Sequence, residues 1–296
     1  MREPAVIRML PDGRRLHLSD GPIDLIIEAS GARDNATAAY QAAARRFVSL
    51  LDELCAELAF LRTRATMNSP SARGAIARRM FAAVKPYCET LFITPMAAVA
   101  GSVAETILES MLASAPLERA YVNNGGDIAI HLSEGARYTI GMVERPDRPS
   151  LFGSLEISAS DPVRGIATSG WRGRSFSLGI ADAVTVLAET ASAADAAATV
   201  IANAVDIPGH AAVKRVPARQ IAPDSDLGDL HVTRGVGPLS ASEIQSALLS
   251  GVRVAVSLRE RGLIHSAALC LQGQTCVVPG LEQNLLDVPQ RSLLHA

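Results

Sequence analysis

Asp195 and Thr199 are the pair in this sequence whose types and spacing most clearly suggest chemistry. They stand four positions apart in the alanine-rich run ASAADAAATVIAN, so on a helix their side chains share one face, one turn from each other. A carboxylate and a hydroxyl placed in this way can share a hard cation such as Mg²⁺. The same pair also suits a plainer role, with Asp195 complementing a helix N-terminus and Thr199 packing. Upstream, Thr168-Ser169-Gly170 reads as a turn beside Arg172 and Arg174. Guanidinium groups there can hold the phosphates that such a cation bridges. The apolar run Ala183 to Ala188 lies between the two and is expected to be a short strand leading into the helix.

The elements that must hold these residues are read from periodicity and turn chemistry. Residues 14–30 form a hairpin across Ser19-Asp20-Gly21-Pro22. Asp34 or Asn35 is expected to cap a long scaffold helix reaching about Arg62, with Phe47, Leu50, Leu51, Leu54, Leu58 and Leu61 on its apolar face. A shorter helix follows at Ala75 to Val84, and YCETLFIT, between Pro86 and Pro95, reads as a short strand. The small residues Ala97, Ala98, Ala100 and Gly101 then lead into a helix carrying Val103, Ile107, Leu108 and Met111. They permit close backbone approach, as tight helix packing also requires. Residues 119–132 make a second hairpin, because Asn123-Asn124-Gly125-Gly126-Asp127 supplies residues that tolerate positive φ.

Strands are expected at Tyr138–Val143 and Ser154–Ser158, irregular chain from Val205 to Asp229, and a helix from Ala241 to about Leu258. Two strands, Ser266–Leu271 and Gln274–Val278, close the pattern, with His265 a strand-end residue rather than a catalyst. Strand pairs alternating with long helices, without a regular βαβ rhythm, give an α+β fold of mostly antiparallel sheets with packed helices. A single domain over residues 1–285, built of two packed sub-units, and a loose tail at 286–296 are expected.

Composition narrows the function classes. A net charge of −2 and a pI near 6.3 leave no basic field for nucleic acid. The arginine groups, Arg62 to Arg79 and Arg164 to Arg174, suit a small anionic ligand better than a polymer. Four cysteines without metal-type spacing read as reduced core thiols and point to a cytoplasmic chain. The polar N-terminal stretch MREPAVIRMLPDGRR gives no expectation of a signal peptide, and no segment reads as a membrane span. GxGxxG, P-loop, HExxH and GxSxG patterns are absent.

Three pieces in order resemble the ApbE-like family of FAD:protein FMN transferases. They are Asn124-Gly125-Gly126-Asp127-Ile128 in a hairpin, Ala167-Thr168-Ser169-Gly170 followed by Arg174 and Phe176, and Val184–Leu187 followed by Ala194-Asp195-Ala-Ala-Ala-Thr199. The resemblance covers roughly residues 90–205, including Ala97 to Gly101 at the position of a family element that contacts metal and flavin. It implies duplicated, T-fold-like antiparallel units, an FAD site with Mg²⁺ at the pyrophosphate, and FMN transfer to a Ser or Thr of a target protein with release of AMP. By position, Asp195, Thr199 and the Ala97 carbonyl would be metal ligands. Asn124, Gly125, Gly126, Thr168, Ser169, Gly170 and Arg174 would lie along the flavin nucleotide.

The family lysine before the glycine matching Gly101 is here Ala100, and a His-rich segment is replaced by Ser177-Leu178-Gly179-Ile180-Ala181-Asp182. Asp182 is then the candidate substitute acid or base, and a turn-initiating Asp is the alternative. The pattern is similar to a shortened cytoplasmic branch of the family. Besides transfer or FAD hydrolysis, it leaves open a flavin or pterin binder without transferase activity, and a scaffold that has lost the ligand. Fold-level analogy adds the expectation of a homo-oligomer.

Overall fold

The structure is a computed structural model describing residues 4–143 and 151–279; the expected tail at 286–296 and part of the loop between Val143 and Ser154 lie outside them. The chain divides into two compact units, each assembled from separate stretches. Unit 1 takes Met1–Tyr138, Ser158–Ile166 and Glu189–Ala196, and unit 2 takes Thr139–Ile157, Ala167–Ala188 and Ala197–Ala296.

Unit 1 opens with strands β1 (Val6–Met9), β2 (Arg15–Asp20) and β3 (Ile23–Ser30). Helices α1 (Arg33–Ala56), α2 (Leu58–Leu61), α3 (Ala75–Val84) and α4 (Val99–Ser114) follow, and then strands β4 (Arg119–Asn124) and β5 (Asp127–Leu132). The five strands pair antiparallel in chain order. Alternation sets the buried face: Leu16, Leu18, Leu25, Ile27, Ala120 and Val122 all point into one core. Helices α1 and α4 add Phe47, Leu50, Val103, Ile107 and Met111, all fully buried, and α2 and α3 add Leu61, Ile76 and Met80. Gly21 and Gly125, with φ of 55° and 66°, turn the two hairpins where a side chain would be strained.

Three expectations for this unit are corrected. The long helix is not capped by Asp34 or Asn35; its N-cap is Ala32, and the Asn35 amide donates instead to the Pro116 carbonyl at 3.0 Å. Nor does it run unbroken to Arg62. Glu57 leaves helical geometry at φ −117° and ψ 16°, and its carboxylate accepts the Arg73 and Gly74 N–H groups at 2.8 and 2.6 Å. It thereby caps α3, and those two bonds pull its carboxylate pKa below the usual range. The run YCETLFIT is not a strand: Lys85–Tyr87 forms a 3-10 turn with Pro86 in its first positions, and Leu91 and Phe92 are left exposed.

Pro95–Ser114, which includes α4, is long and apolar enough to cross a membrane, contrary to the sequence expectation. Half of its apolar window is buried inside the protein, because α4 packs on α1 and across β4 and β5.

Unit 2 is built from β6 (Arg137–Val143), β7 (Leu151–Ser158), β8 (Gly165–Ser169) and β9 (Ala183–Ala188), then α5 (Ala191–Ala204). Strand β10 (Val213–Pro217), α6 (Ala218–Ile221), β11 (His231–Val236), α7 (Ala241–Glu260), β12 (Ser266–Leu271) and β13 (Gln274–Val278) complete it. β6, β7, β8 and α5 each have residues in both units. β9, β12 and β13 pair antiparallel, and α7 packs on β12 and β13. The expected irregular segment instead holds β10 and α6; β10 pairs with β11 just beyond it, and a register shift at Lys214/Arg215 keeps the pair from reading as clean alternation. Thr168 and Ser169 lie within β8 rather than in a turn. The fold is α+β, and every described strand pairing for which a register is given is antiparallel.

Candidate functional site

In unit 1 the first turns of α4 and α5 meet at Gly101. A Cβ there would lie 2.2 Å from the Ala191 carbonyl oxygen, so only glycine lets the two backbones approach this closely. The start of α4 has no local cap: Ala98, its N-cap residue, has no side chain that can accept a hydrogen bond. The amides are met from a distance in sequence. Gly101 N–H donates to the Asp195 carboxylate at 3.0 Å, and Ala100 N–H donates to it as well. The favour is returned by α4, whose Glu105 accepts the Ser192 N–H of α5 at 2.6 Å. Each helix therefore carries the carboxylate that caps the other.

Those amide bonds favour ionised Asp195, yet its pKa is raised well above the usual carboxylate range. Desolvation is the largest cause, and the charge of Asp127 comes next, followed by that of Glu105. Asp195 keeps some open surface, while the carboxylate itself is enclosed by protein. The result is a carboxylate with two backbone donors and two acidic neighbours, of which Glu105 is itself paired with Arg79.

The expected nucleotide residues of this unit stand near the same helix start. The Asn124 amide donates to the Ala100 carbonyl at 3.2 Å, tying the β4–β5 hairpin to α4. Gly126 N–H donates to the Asn123 side chain at 2.8 Å, and a Cβ on Gly126 would point into open space. Ala97 sits in the 3-10 turn Pro95–Ala98 that feeds α4. Thr199, which falls in the unit 2 stretch of α5, follows Asp195 by one helical turn, as the spacing predicts.

The remaining residues belong to unit 2. Thr168 and Thr185 hydroxyls pair at 2.9 Å across β8 and β9, and Arg174 is exposed. Gly170 is required by close approach, since a Cβ would lie 2.6 Å from the Asp182 carbonyl oxygen. Asp182 is buried and fully engaged. It accepts Arg172 Nε at 2.5 Å and Trp171 Nε1 at 3.2 Å on one oxygen, and the Gln272 N–H at 2.6 Å on the other. Arg172 in turn lies 4.3 Å over the Trp171 ring. Gln272 holds a φ of 44°, rare for a residue with a side chain, and its amide group bonds Leu239 and Gly237.

Sequence reasoning overlooked Glu105, the charge on Asp127, and the Ala100 and Gly101 amides. Asp127 was read for its turn alone. Glu105 stands one turn after Gly101 and could have been noticed as a carboxylate on the small-residue face. Its partner at position 192 has no sequence signal. Among the described residues, no group of three or more His, Cys, Asp or Glu has metal-binding geometry, so a cation site here must draw on hydroxyl or carbonyl oxygens. All four cysteines are free, three of them buried and Cys55 exposed.

A UPF0280 protein of Methanopyrus kandleri is 35% identical over 145 residues, which is 49% of this chain and 55% of the relative. One from Methanobrevibacter smithii is 40% identical over 131 residues, 43% of this chain and 51% of the relative. The chain thus spans about half the length of the curated relatives it matches. Among solved structures, a mutant flavin transferase ApbE from Vibrio cholerae aligns with a TM-score of 0.40 at 13% identity, covering 67% of this chain and 85% of that one. The apo flavinyl transferase ApbE of Pseudomonas stutzeri aligns with a TM-score of 0.34 at 14% identity, covering 64% and 50%. The family profile described as "AbpE bacteria" matches residues 7–277, most of the sequence, and the chain belongs to this ApbE-like family.

Proposed function

We propose that this chain binds a flavin nucleotide, FAD, together with a divalent cation at Asp195. The reaction class is FMN transfer to a Ser or Thr hydroxyl of a protein, or hydrolysis of the FAD pyrophosphate. One observation carries the reading: the Asp195 carboxylate meets the Gly101 N–H at the start of α4 at 3.0 Å, with Asp127 and Glu105 as acidic neighbours that raise its pKa. A carboxylate with acidic neighbours and backbone oxygens close by is suited to a hard cation. The Thr199 hydroxyl and the Ala97 carbonyl, carried over from the family resemblance, would complete its oxygen ligands. Bound Mg²⁺ would neutralise charge on the pyrophosphate.

The chain's own groups have separable roles in this reading. Gly125 and Gly126 leave backbone exposed for a flat or anionic ligand, and Asn124 fixes the hairpin to α4. From unit 2, Thr168, Ser169, Gly170 and the exposed Arg174 are the residues assigned to the nucleotide by resemblance. Transfer would form a bond from the acceptor hydroxyl oxygen to the FMN-side phosphorus and break the bond to AMP, which leaves. A cytoplasmic location and self-association belong to the same proposal.

A second reading, flavin or pterin binding without turnover, is favoured by the state of Asp182. A carboxylate whose two oxygens already accept from Arg172, Trp171 and Gln272 is committed to structural partners rather than open to a substrate. The test mixes purified chain with FAD and MgCl₂, follows flavin fluorescence, and assays AMP by chromatography. Binding with AMP release that Asp195→Asn abolishes supports transfer or hydrolysis. Binding without AMP supports the second reading, and absence of flavin and pterin binding overturns both.

A further inference from the structure

We infer that Glu105, clamped by Arg79, is the positioning residue for Asp195. The inference deepens the proposed cation site and rests on that reading for its functional meaning. Its geometry lies wholly within unit 1. Glu105 uses its two carboxylate oxygens for two different partners: Oε1 accepts the Ser192 N–H at 2.6 Å, and Oε2 pairs with Arg79 Nε at 3.0 Å. Arg79, on α3, is itself held by the Thr106 hydroxyl at 2.6 Å and by Glu109 at 2.5 Å. The Glu105 and Arg79 side chains are 15% and 23% exposed, so solvent screens the pair only in part.

Helix geometry couples Glu105 to Asp195 mechanically. Ser192 and Asp195 are in the first turns of one helix, and a helical turn is stiff once its amides are paired. Holding Ser192 N–H fixes both the height of α5 against α4 and its rotation. Rotation decides whether Asp195 meets the Gly101 and Ala100 amides. The return bond from Gly101 closes a ring through both helices, and Gly101's missing side chain lets that ring close. Arg79 restricts the Glu105 rotamer, so the anchor starts from α3 and passes through Glu105 to α5. A carboxylate held this way around a ligand group is the usual device for keeping a metal ligand oriented.

Glu105 could instead act on a cation merely through its charge, and the amide variant separates the two. Glu105→Gln keeps the Oε1 acceptor for Ser192 and discards the charge. Glu105→Ala discards both. The experiment uses the full chain and reads two quantities: amide exchange at Gly101, which reports the Asp195 bond without any metal, and Mn²⁺ affinity by electron paramagnetic resonance. Expected for Glu105→Ala is faster Gly101 exchange and an Mn²⁺ affinity about tenfold weaker. Glu105→Gln should return both to within about threefold of the unmodified chain.

Unchanged Gly101 exchange in Glu105→Ala overturns the inference, and so does Glu105→Gln behaving like Glu105→Ala. If Glu105→Ala does not fold, Arg79→Met takes its place, because it frees the Glu105 rotamer and keeps the carboxylate. It should show the same two effects at smaller size, and unchanged exchange would again overturn the claim. No Mn²⁺ binding by the unmodified chain refutes the cation reading, while Gly101 exchange still decides the positioning.

Discussion

Asp195 in unit 1 and Asp182 in unit 2 are both enclosed aspartates in the stretch that sequence analysis singled out, and they are opposites. Asp182 is neutralised by Arg172 and receives further bonds from Trp171 and Gln272. Asp195 receives backbone amides and sits among like charges. The first carboxylate completes a local structure and asks for nothing more. The second is held by backbone amides and has acidic neighbours. What an enclosed carboxylate does is decided by its neighbours' charges more than by its burial. Glu243 adds a third case: it also caps a helix start, in a capping box with Ser240, but it is exposed and its pKa falls to about 2.

The largest effect expected on this contrast comes from Gly101→Ala. The new methyl would meet backbone, which cannot turn aside, so a loss of about 3 kcal/mol is expected in urea unfolding. Gly251→Ala is the comparison. There the nearest atoms are the side-chain methyls of Val205 and Leu269, at 2.4 and 2.7 Å, which can shift. A smaller loss at Gly101 than at Gly251 would show that the α4–α5 approach is not tight.

Arg172→Ala comes next. It strands Asp182 and should cost about 3 kcal/mol, most of which Asp182→Asn in the same chain should recover. A cost near zero would make the two aspartates alike after all.

Asp195→Asn should change stability by no more than about 1 kcal/mol, since the amide can still accept from Gly101 while the repulsion disappears. Mn²⁺ affinity should nevertheless fall about tenfold or more. The pH dependence gives the same contrast with a sign. Asp195 binds its proton more tightly folded than unfolded, so in chelator it contributes stability that is lost as pH rises from about its ordinary 3.8 through the raised folded value. Glu243 has the opposite sign: its contribution is present above 4.5 and is lost as pH falls toward about 2. Unfolding midpoints against pH for Asp195→Asn and Glu243→Gln should each remove one of these slopes. The smallest effect is Ser240→Ala, about 1 kcal/mol from the lost cap of α7.

Much of the fold was legible because it is local. The helix at Ala75–Val84 and the strands at Ala183–Ala188, Ser266–Leu271 and Gln274–Val278 appear where periodicity and turns put them. The failures have physical reasons. Asp34 and Asn35 are good capping residues, but one lies inside the first turn and the other is drawn off to Pro116. Tyr87 and Cys88 are buried by a 3-10 turn that Pro86 initiates, and periodicity does not distinguish that from a strand. The one-turn spacing of Asp195 and Thr199 on a helix was legible from sequence. The environment of Asp195 was not, because its decisive partners, Ala100, Gly101, Glu105 and Asp127, are distant in sequence and no local pattern marks them.

The cross-capping of α4 and α5 also has a consequence for biosynthesis. Strands β1 to β5 and helix α4 leave the ribosome long before Ser192 and Asp195 are translated, yet unit 1 includes Glu189–Ala196. Until then the start of α4 has no carboxylate partner, and the nascent unit must wait for a late segment to finish it. Chains stalled before residue 189 should therefore be cut by protease near Ala98–Gly101, and chains released beyond 196 should be protected there.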